Sequence, residues 1–211
     1  ALINNTTLQY VGSATIGTDH LDIPALEQQN IAWSNAAGCN AQAVAEYVIT
    51  ALLHLNIDLL EKNKAFTLAI VGLGNVGKRL AVMAQLLGWN VIGYDPYVQL
   101  AGIENVSFQE LLKQADAISI HVPLTLAGDY PTQHLFNDAT FAAMKASAIL
   151  INSARGPVIQ QSALMNDIKK NNRKVVLDVF EFEPEIPAQL LNLLALATPH
   201  IAGYSLEGKA R

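Results

Sequence analysis

Leu68-Ala69-Ile70-Val71-Gly72-Leu73-Gly74-Asn75-Val76-Gly77 is the stretch on which the fold turns. An unbroken apolar run, Leu68–Gly72, predicts a strand covered on both faces, and a helix is expected over Val76–Leu87. Glycines spaced G-x-G-x-x-G mean little alone, but between a strand and a helix each has a task. Gly72 permits the tight turn, Gly74 lets backbone approach a pyrophosphate, and Gly77 lets the helix lie close to the strand. With Asn75 and Val76 these glycines present the N–H groups of a helix start to an anion. Asp95 follows 18 residues after Gly77, at the end of the next predicted strand. A carboxylate there accepts hydrogen bonds from an adenosine ribose and repels a 2′-phosphate, which favours NAD over NADP. The plainer reading is that Asp95, followed by Pro96, starts a turn.

Working outward, short β-branched runs alternate with helix-like stretches. Strands are expected at Val91–Tyr94, Ala117–His121, Ala148–Asn152 and Val175–Val179. Helices are expected at Phe108–Ala115, Asp138–Met144 and Ser162–Lys169, with Ser107 and Glu110 in capping-box spacing before the first of them. Repeated βαβ units imply an α/β fold, a Rossmann-type doubly wound parallel sheet with ligands at the carboxyl ends of its strands. Upstream, Tyr10–Ala14 and Ile31–Asn35 read as strands around a small helix near Ala25–Gln28, and Ala41–Leu60 as one long apolar helix.

Composition narrows the function. The chain has 211 residues, 51% hydrophobic and 15% charged, which is a globular balance. A formal net charge of −5 without a basic cluster argues against a nucleic-acid surface. The single cysteine, Cys39, excludes an intrachain disulfide and fits a reducing cytoplasm. The most apolar stretch, Val48–Leu60, is too short and too interrupted for a bilayer, so no membrane partner is expected. No metal-ligand spacing is read. The chain opens on Ala1 rather than Met and ends at Arg211, as a fragment would.

Three polar residues fall at predicted strand ends on the ligand side: Arg155, Glu183 and His200. Singly, each has an ordinary reading as a surface charge or a capping histidine. Together they supply what oxidation of a 2-hydroxy acid requires. His200 is a candidate base, since histidine is the side chain suited to that task, Glu183 a carboxylate to orient it, and Arg155 a two-pronged grip on the substrate carboxylate. Asp178 is placed beside the nicotinamide carboxamide or the ribose.

The segments Asn152-Ser-Ala-Arg-Gly156, Asp178-Val-Phe-Glu-Phe-Glu-Pro184 and Thr198-Pro-His-Ile-Ala-Gly203 resemble the signatures of the D-2-hydroxyacid dehydrogenase family. The stretches from Val11 to His20, Ala37 to Ala41 and Ala202 to Arg211 resemble a narrower branch of it. The resemblance implies that Arg155, Glu183 and His200 are catalytic, and that Thr15 and Tyr204 contact a small phosphorylated 2-hydroxy acid. It also implies that Asp95, Ser153, Ala154, Arg155, Asp178 and Gly203 line NAD. Val122 stands where that branch can carry threonine, so it serves the cofactor only through its backbone. Lys209 and Arg211 are candidate phosphate cations by proximity alone.

The resemblance further implies part of a flavodoxin-like substrate lobe over residues 1–40. The NAD domain would span 41–200, with 41–60 a hinge helix, and the chain would return to the substrate lobe over 201–211. The family's N-terminal substrate stretch and C-terminal dimerisation domain would then lie outside the chain, and the full-length protein would be a homodimer. A glycerate- or phosphoglycerate-type substrate is the alternative within the family. An NAD-binding regulatory protein is the alternative outside catalysis.

Overall fold

A computed structural model describes residues 7–15, 17–18, 20–55 and 65–206. The chain divides into two compact units, one of residues 1–40 and 204–211, the other of residues 41–203.

In the smaller unit, β1 (Tyr10–Ser13) and β2 (Ala32–Asn35) form a parallel pair joined through α1 (Ile23–Gln28). Asp22 caps α1, its side chain accepting the Ala25 N–H, and Pro24 lies in the first turn, where a missing N–H costs nothing.

The larger unit is a seven-stranded parallel sheet. Its strands are β3 (Thr67–Val71), β4 (Asn90–Tyr94), β5 (Glu104–Asn105), β6 (Ala117–Ile120), β7 (Ile149–Asn152), β8 (Val175–Leu177) and β9 (Leu196–Ala197). They run in the order β5-β4-β3-β6-β7-β8-β9, so the order reverses between β3 and β6. That reversal opens the crevice in which such sheets take their ligands.

Each inner strand splits its side chains between two cores. Ala69, Val71, Ile118, Ile120, Leu150, Val175 and Leu177 point into one core, with residues of α4 (Phe108–Gln114), α5 (Asp138–Ala143) and α6 (Gln161–Asn171). Leu68, Ile70, Ala117, Ile149, Ile151 and Val176 point into the other, with α2 (Ala41–Leu55) and α3 (Asn75–Leu86). The period of two along a strand thus meets apolar cover on both faces, which is why these runs carry no polar alternation.

The expected inner strands and helices are present, shifted by one or two residues at their ends. Two edge strands, β5 and β9, and the short helix α7 (Ala188–Leu191) were not anticipated. Glu104 and Asn105 are exposed, and an edge strand of two residues leaves no apolar signature to read. Of the helix expected over 41–60, α2 covers Ala41–Leu55; residues 56–60 lie outside the described residues, as do Lys209 and Arg211. The Ser107–Glu110 capping box forms, each side chain serving the other's backbone N–H.

At the amino ends of the strands, far from the ligand side, Arg173 and Asp167 form a buried pair. The guanidinium also donates to the carbonyls of Lys145 (2.7 Å) and Ala148 (2.9 Å), closing off the base of β7 and β8. Among the described residues no helix is long and apolar enough to cross a membrane.

Candidate active site at the carboxyl ends of the strands

The glycine loop leaves β3 with Gly72 at φ +95°, a conformation reserved for glycine, and a Cβ there would stand 2.5 Å from the His121 carbonyl oxygen. At Gly77 a Cβ would stand 2.1 Å from the Gly72 carbonyl oxygen, so helix and turn meet backbone to backbone. Gly74 differs: nothing lies within 4 Å of its would-be Cβ. Its residue caps α3 with no side-chain hydrogen bond, and Asn75 and Val76 form the first turn. Open space above uncapped N–H groups at the positive end of a twelve-residue helix is the shape and charge a pyrophosphate needs.

Asp95 follows the end of β4, and its carboxylate makes the turn of the plainer reading together with a contact into the glycine loop. Its Oδ1 accepts the N–H groups of Tyr97 (2.9 Å) and Val98 (3.0 Å), the turn expected of Asp-Pro. Its Oδ2 accepts the Leu73 N–H at 2.8 Å, inside the glycine loop itself. The carboxylate therefore braces the phosphate loop from the neighbouring strand, a contact invisible to spacing arguments.

Val122 follows β6 and packs against the turn; its Cγ1 would lie 3.0 Å from a Cβ on Gly72. One residue earlier, His121 places Nε2 2.8 Å from Ser119 Oγ, and burial pulls its pKa down to about 3. The imidazole at the switch point is therefore neutral.

The β7 end is shaped by Asn152, which is fully buried. Its Oδ1 accepts the Ala154 N–H (3.0 Å) and its Nδ2 donates to the Arg155 carbonyl (2.9 Å), pinching Ser153 and Ala154 into a turn. Ser153 Oγ is buried without a hydrogen-bond partner, an orphaned polar atom of the kind a ligand satisfies. Arg155 donates from Nη1 to the Ala154 carbonyl at 2.7 Å, at the mouth of this turn. An open glycine cradle, a bracing acid and an unpaired hydroxyl together fit a dinucleotide laid across the strand ends.

Past β8 the chain enters the loop bearing Glu183. The Phe180 N–H donates to Glu183 Oε1 at 2.7 Å, and Glu183 Oε2 lies 3.3 Å from His200 Nδ1. The carboxylate is thus fixed by its own loop and aimed at the imidazole. His200 sits in the left-handed region, φ +57°, a local cost tolerated where the surroundings over-determine it. Asp178 provides that determination. It is fully buried, and its oxygens accept from Thr198 Oγ1 (2.6 Å), Ile201 N (2.7 Å) and Ala202 N (2.8 Å). The His200 N–H donates to the Asp178 carbonyl as well, at 2.9 Å.

Because Thr198 must donate to the carboxylate, its oxygen accepts from the Tyr47 phenol on α2, 2.6 Å away. Burial raises the Tyr47 pKa, which keeps that phenol a donor. Three of about four acceptor directions on Asp178 are spent on the His200 loop, leaving about one for a cofactor. The loop-holding role was missed from the sequence, although an acid in the apolar run Val175-Val-Leu-Asp-Val-Phe180 was a signal of a buried, fully partnered carboxylate. Gly203 closes this loop and this unit.

The two remaining candidates, Thr15 and Tyr204, belong to the smaller unit. Thr15 Oγ1 donates to the Gly17 carbonyl (2.9 Å) and lies 2.8 Å from Ser13 Oγ, which in turn reaches His20 Nε2 at 3.1 Å. Nothing in the sequence singles out Ser13 and His20; the fold gathers them around Thr15. Tyr204 is largely exposed. Among the described residues no group of three or more metal-ligating side chains occurs.

Comparison with known proteins agrees with this geometry. Residues 55–202 match the family described as D-isomer specific 2-hydroxyacid dehydrogenase, NAD binding domain. Over all 211 residues the chain is 73% identical to an erythronate-4-phosphate dehydrogenase of Acinetobacter baumannii, of which it spans 59%. Among solved structures, an acyclic imino acid reductase in complex with NADPH and D-Arg is 29% identical with a TM-score of 0.84, covering 96% of this chain and 71% of that one. The D-lactate dehydrogenase of Aquifex aeolicus, complexed with NAD and lactic acid, is 26% identical with a TM-score of 0.81, covering 96% of this chain and 72% of that one.

Proposed function

The chain belongs to the D-isomer specific 2-hydroxyacid dehydrogenase family and carries that family's NAD-binding domain, and from this premise we propose that it is the greater part of an erythronate-4-phosphate dehydrogenase. The reaction is NAD-dependent oxidation of 4-phospho-D-erythronate to 2-oxo-3-hydroxy-4-phosphobutanoate, a step of pyridoxal 5′-phosphate (vitamin B6) biosynthesis. The relatives of that name, alike along the whole chain, support the substrate. The Glu183–His200 pair is the observation that carries the chemistry.

When bound, NAD supplies the acceptor for the hydride from C2. The glycine loop Gly72–Gly77 holds its pyrophosphate by backbone N–H groups, and Asp95 faces its adenosine ribose. Val122, Ser153, Ala154, Asp178 and Gly203 line the remainder. His200 takes the proton of the C2 hydroxyl at Nε2, while Nδ1 faces Glu183, whose charge favours the imidazolium that forms. Arg155 grips the substrate carboxylate and so fixes which face of C2 is presented. Thr15 and Tyr204 contact the rest of the substrate. The protein works in the cytoplasm as a homodimer.

The deciding assay uses a polypeptide of the relatives' full length containing this chain. NADH formation at 340 nm is followed with 4-phosphoerythronate, glycerate and 3-phosphoglycerate at equal concentration. A kcat/KM at least about tenfold higher for the four-carbon phosphorylated acid is expected. A preference for glycerate or phosphoglycerate would overturn the substrate, and NAD binding without turnover of any acid would favour a regulatory role.

A further inference from the structure

A second histidine–carboxylate contact lies behind the one just described. His134 Nε2 is 2.5 Å from Glu181 Oε1, and the Glu181 side chain is only 10% exposed. The other oxygen, Oε2, accepts the N–H of Gln161 at 2.7 Å, the first residue of α6. That helix has no side-chain cap of its own: Gln160 occupies the cap position without a hydrogen bond from its side chain. A carboxylate twenty residues away in sequence therefore does the capping, across space.

His134 is itself held firmly. It adopts φ +52°, its N–H donates to the Pro157 carbonyl (2.9 Å), and its carbonyl accepts from Asn137 Nδ2 (3.0 Å). Pro157 belongs to the segment that follows Arg155, and the neighbouring Phe136 bridges to Ile159 in the same segment. On the other side, a Cβ on Gly156 would stand 1.9 Å from the Phe180 carbonyl oxygen, so the Arg155 and Glu183 loops touch backbone to backbone. Phe180 is the residue whose N–H holds Glu183. Glu181 thus sits between the two residues that define the catalytic carboxylate, tied to α6 on one side and His134 on the other.

We propose that Glu181 and His134 are positioning residues for the proposed dehydrogenation: their contact, anchored on the first turn of α6, holds the Phe180–Glu183 loop so that Glu183 meets His200 Nδ1. The inference rests on the reading of Glu183 and His200 as the catalytic pair. Neither residue touches the reacting atoms. Their effect passes through the backbone at Phe180 to the Glu183 carboxylate and from there to the imidazole. A buried carboxylate with one partner on a helix and one on a loop has a defined geometry, whereas an exposed loop acid would leave Glu183 to sample several.

The test uses the full-length polypeptide with histidine rings labelled with ¹⁵N. Long-range proton–nitrogen spectra read which ring nitrogen of His200 carries the proton, and Glu183→Ala sets the scale for a lost partner. Glu181→Ala is expected to move the His200 signal at least half as far, to lower kcat about tenfold and to leave NAD affinity within about twofold. Glu181→Gln, which keeps an acceptor for the Gln161 N–H, is expected to return most of the signal. His134→Ala cuts the tie from the other end with the helix cap intact, and it should move the signal in the same direction even where Glu181→Ala fails to fold. Folded Glu181→Ala and His134→Ala proteins with a wild-type His200 signal would overturn the positioning role alone. A His200 signal untouched by Glu183→Ala would overturn the catalytic pair and the inference with it.

Discussion

His200 Nδ1 faces Glu183 Oε2 at 3.3 Å, while the same carboxylate is held from behind by the Phe180 N–H on Oε1. One oxygen is spent on position and the other on the imidazole. That division of labour predicts unequal effects of removing each partner. His200→Asn should lower kcat by about 10³-fold while leaving NAD affinity within about twofold, since no residue of the glycine loop depends on it. Glu183→Gln has one amide oxygen for the two contacts: kept on the Phe180 N–H, it turns an N–H donor toward Nδ1, so charge and acceptor are both lost and kcat should fall about 10²-fold. Steady-state kinetics with calorimetric NAD titration separates the two. Loss of NAD binding in His200→Asn would mark the histidine as structural.

The glycines of the loop give opposite predictions. Gly77→Ala drives a Cβ to 2.1 Å from the Gly72 carbonyl, so the helix must shift, and a fall in stability of about 1–3 kcal/mol is expected. Gly74→Ala meets no protein atom within 4 Å. Its melting temperature should stay within about 2 °C of wild type, yet NAD affinity should fall at least about tenfold as the methyl enters the space of the phosphate. Wild-type NAD affinity in Gly74→Ala would place the pyrophosphate elsewhere.

Acid sensitivity has a nameable source in His121. Its folded pKa, about 3, lies below the ordinary 6.5 because burial disfavours the charged ring. Above pH 6.5 neither state takes the proton, and the folded protein loses nothing. As pH falls from 6.5 toward 3 the unfolded chain protonates first, and stability drops by about 1.4 kcal/mol per pH unit. His121→Asn should therefore lose about 2 kcal/mol less than wild type between pH 7 and pH 5, read from urea midpoints. Parallel curves for the two proteins would show that the ring accepts a proton in place.

At the opposite end of the sheet, Asp167→Ala leaves the Arg173 guanidinium, 2% exposed, without its carboxylate. A loss of about 3–5 kcal/mol is expected from denaturant unfolding. Adding Arg173→Met should recover much of it, because the cost lies in the unpaired buried charge rather than in the missing bridge. NAD affinity should be unchanged in protein that remains folded.

The inner sheet was legible because every residue from Leu68 to Val71 is fully buried, and two-faced burial writes itself as an unbroken apolar run. β5 and β9 were not, since two-residue edge strands are made by pairing with a neighbour rather than by their own composition. The site divides the same way. Arg155, Glu183 and His200 could be singled out as candidates one at a time from their places after strands. What holds them could not, because Thr198 to Asp178 and Gln161 to Glu181 join segments twenty residues apart that only the folded sheet brings together, and Phe180 to Glu183 closes a loop whose shape no spacing shows.

Asp95 carries a lesson for cofactor engineering. A switch from NAD to NADP is conventionally sought by deleting the acid at the ribose. In this chain the same carboxylate anchors the Leu73 amide in the phosphate loop and two amides of its own turn. With Asp95 at the ribose as proposed, selectivity and loop integrity would rest on one side chain. A variant with relaxed preference will bind both cofactors poorly unless the redesign also supplies Leu73 with a new acceptor.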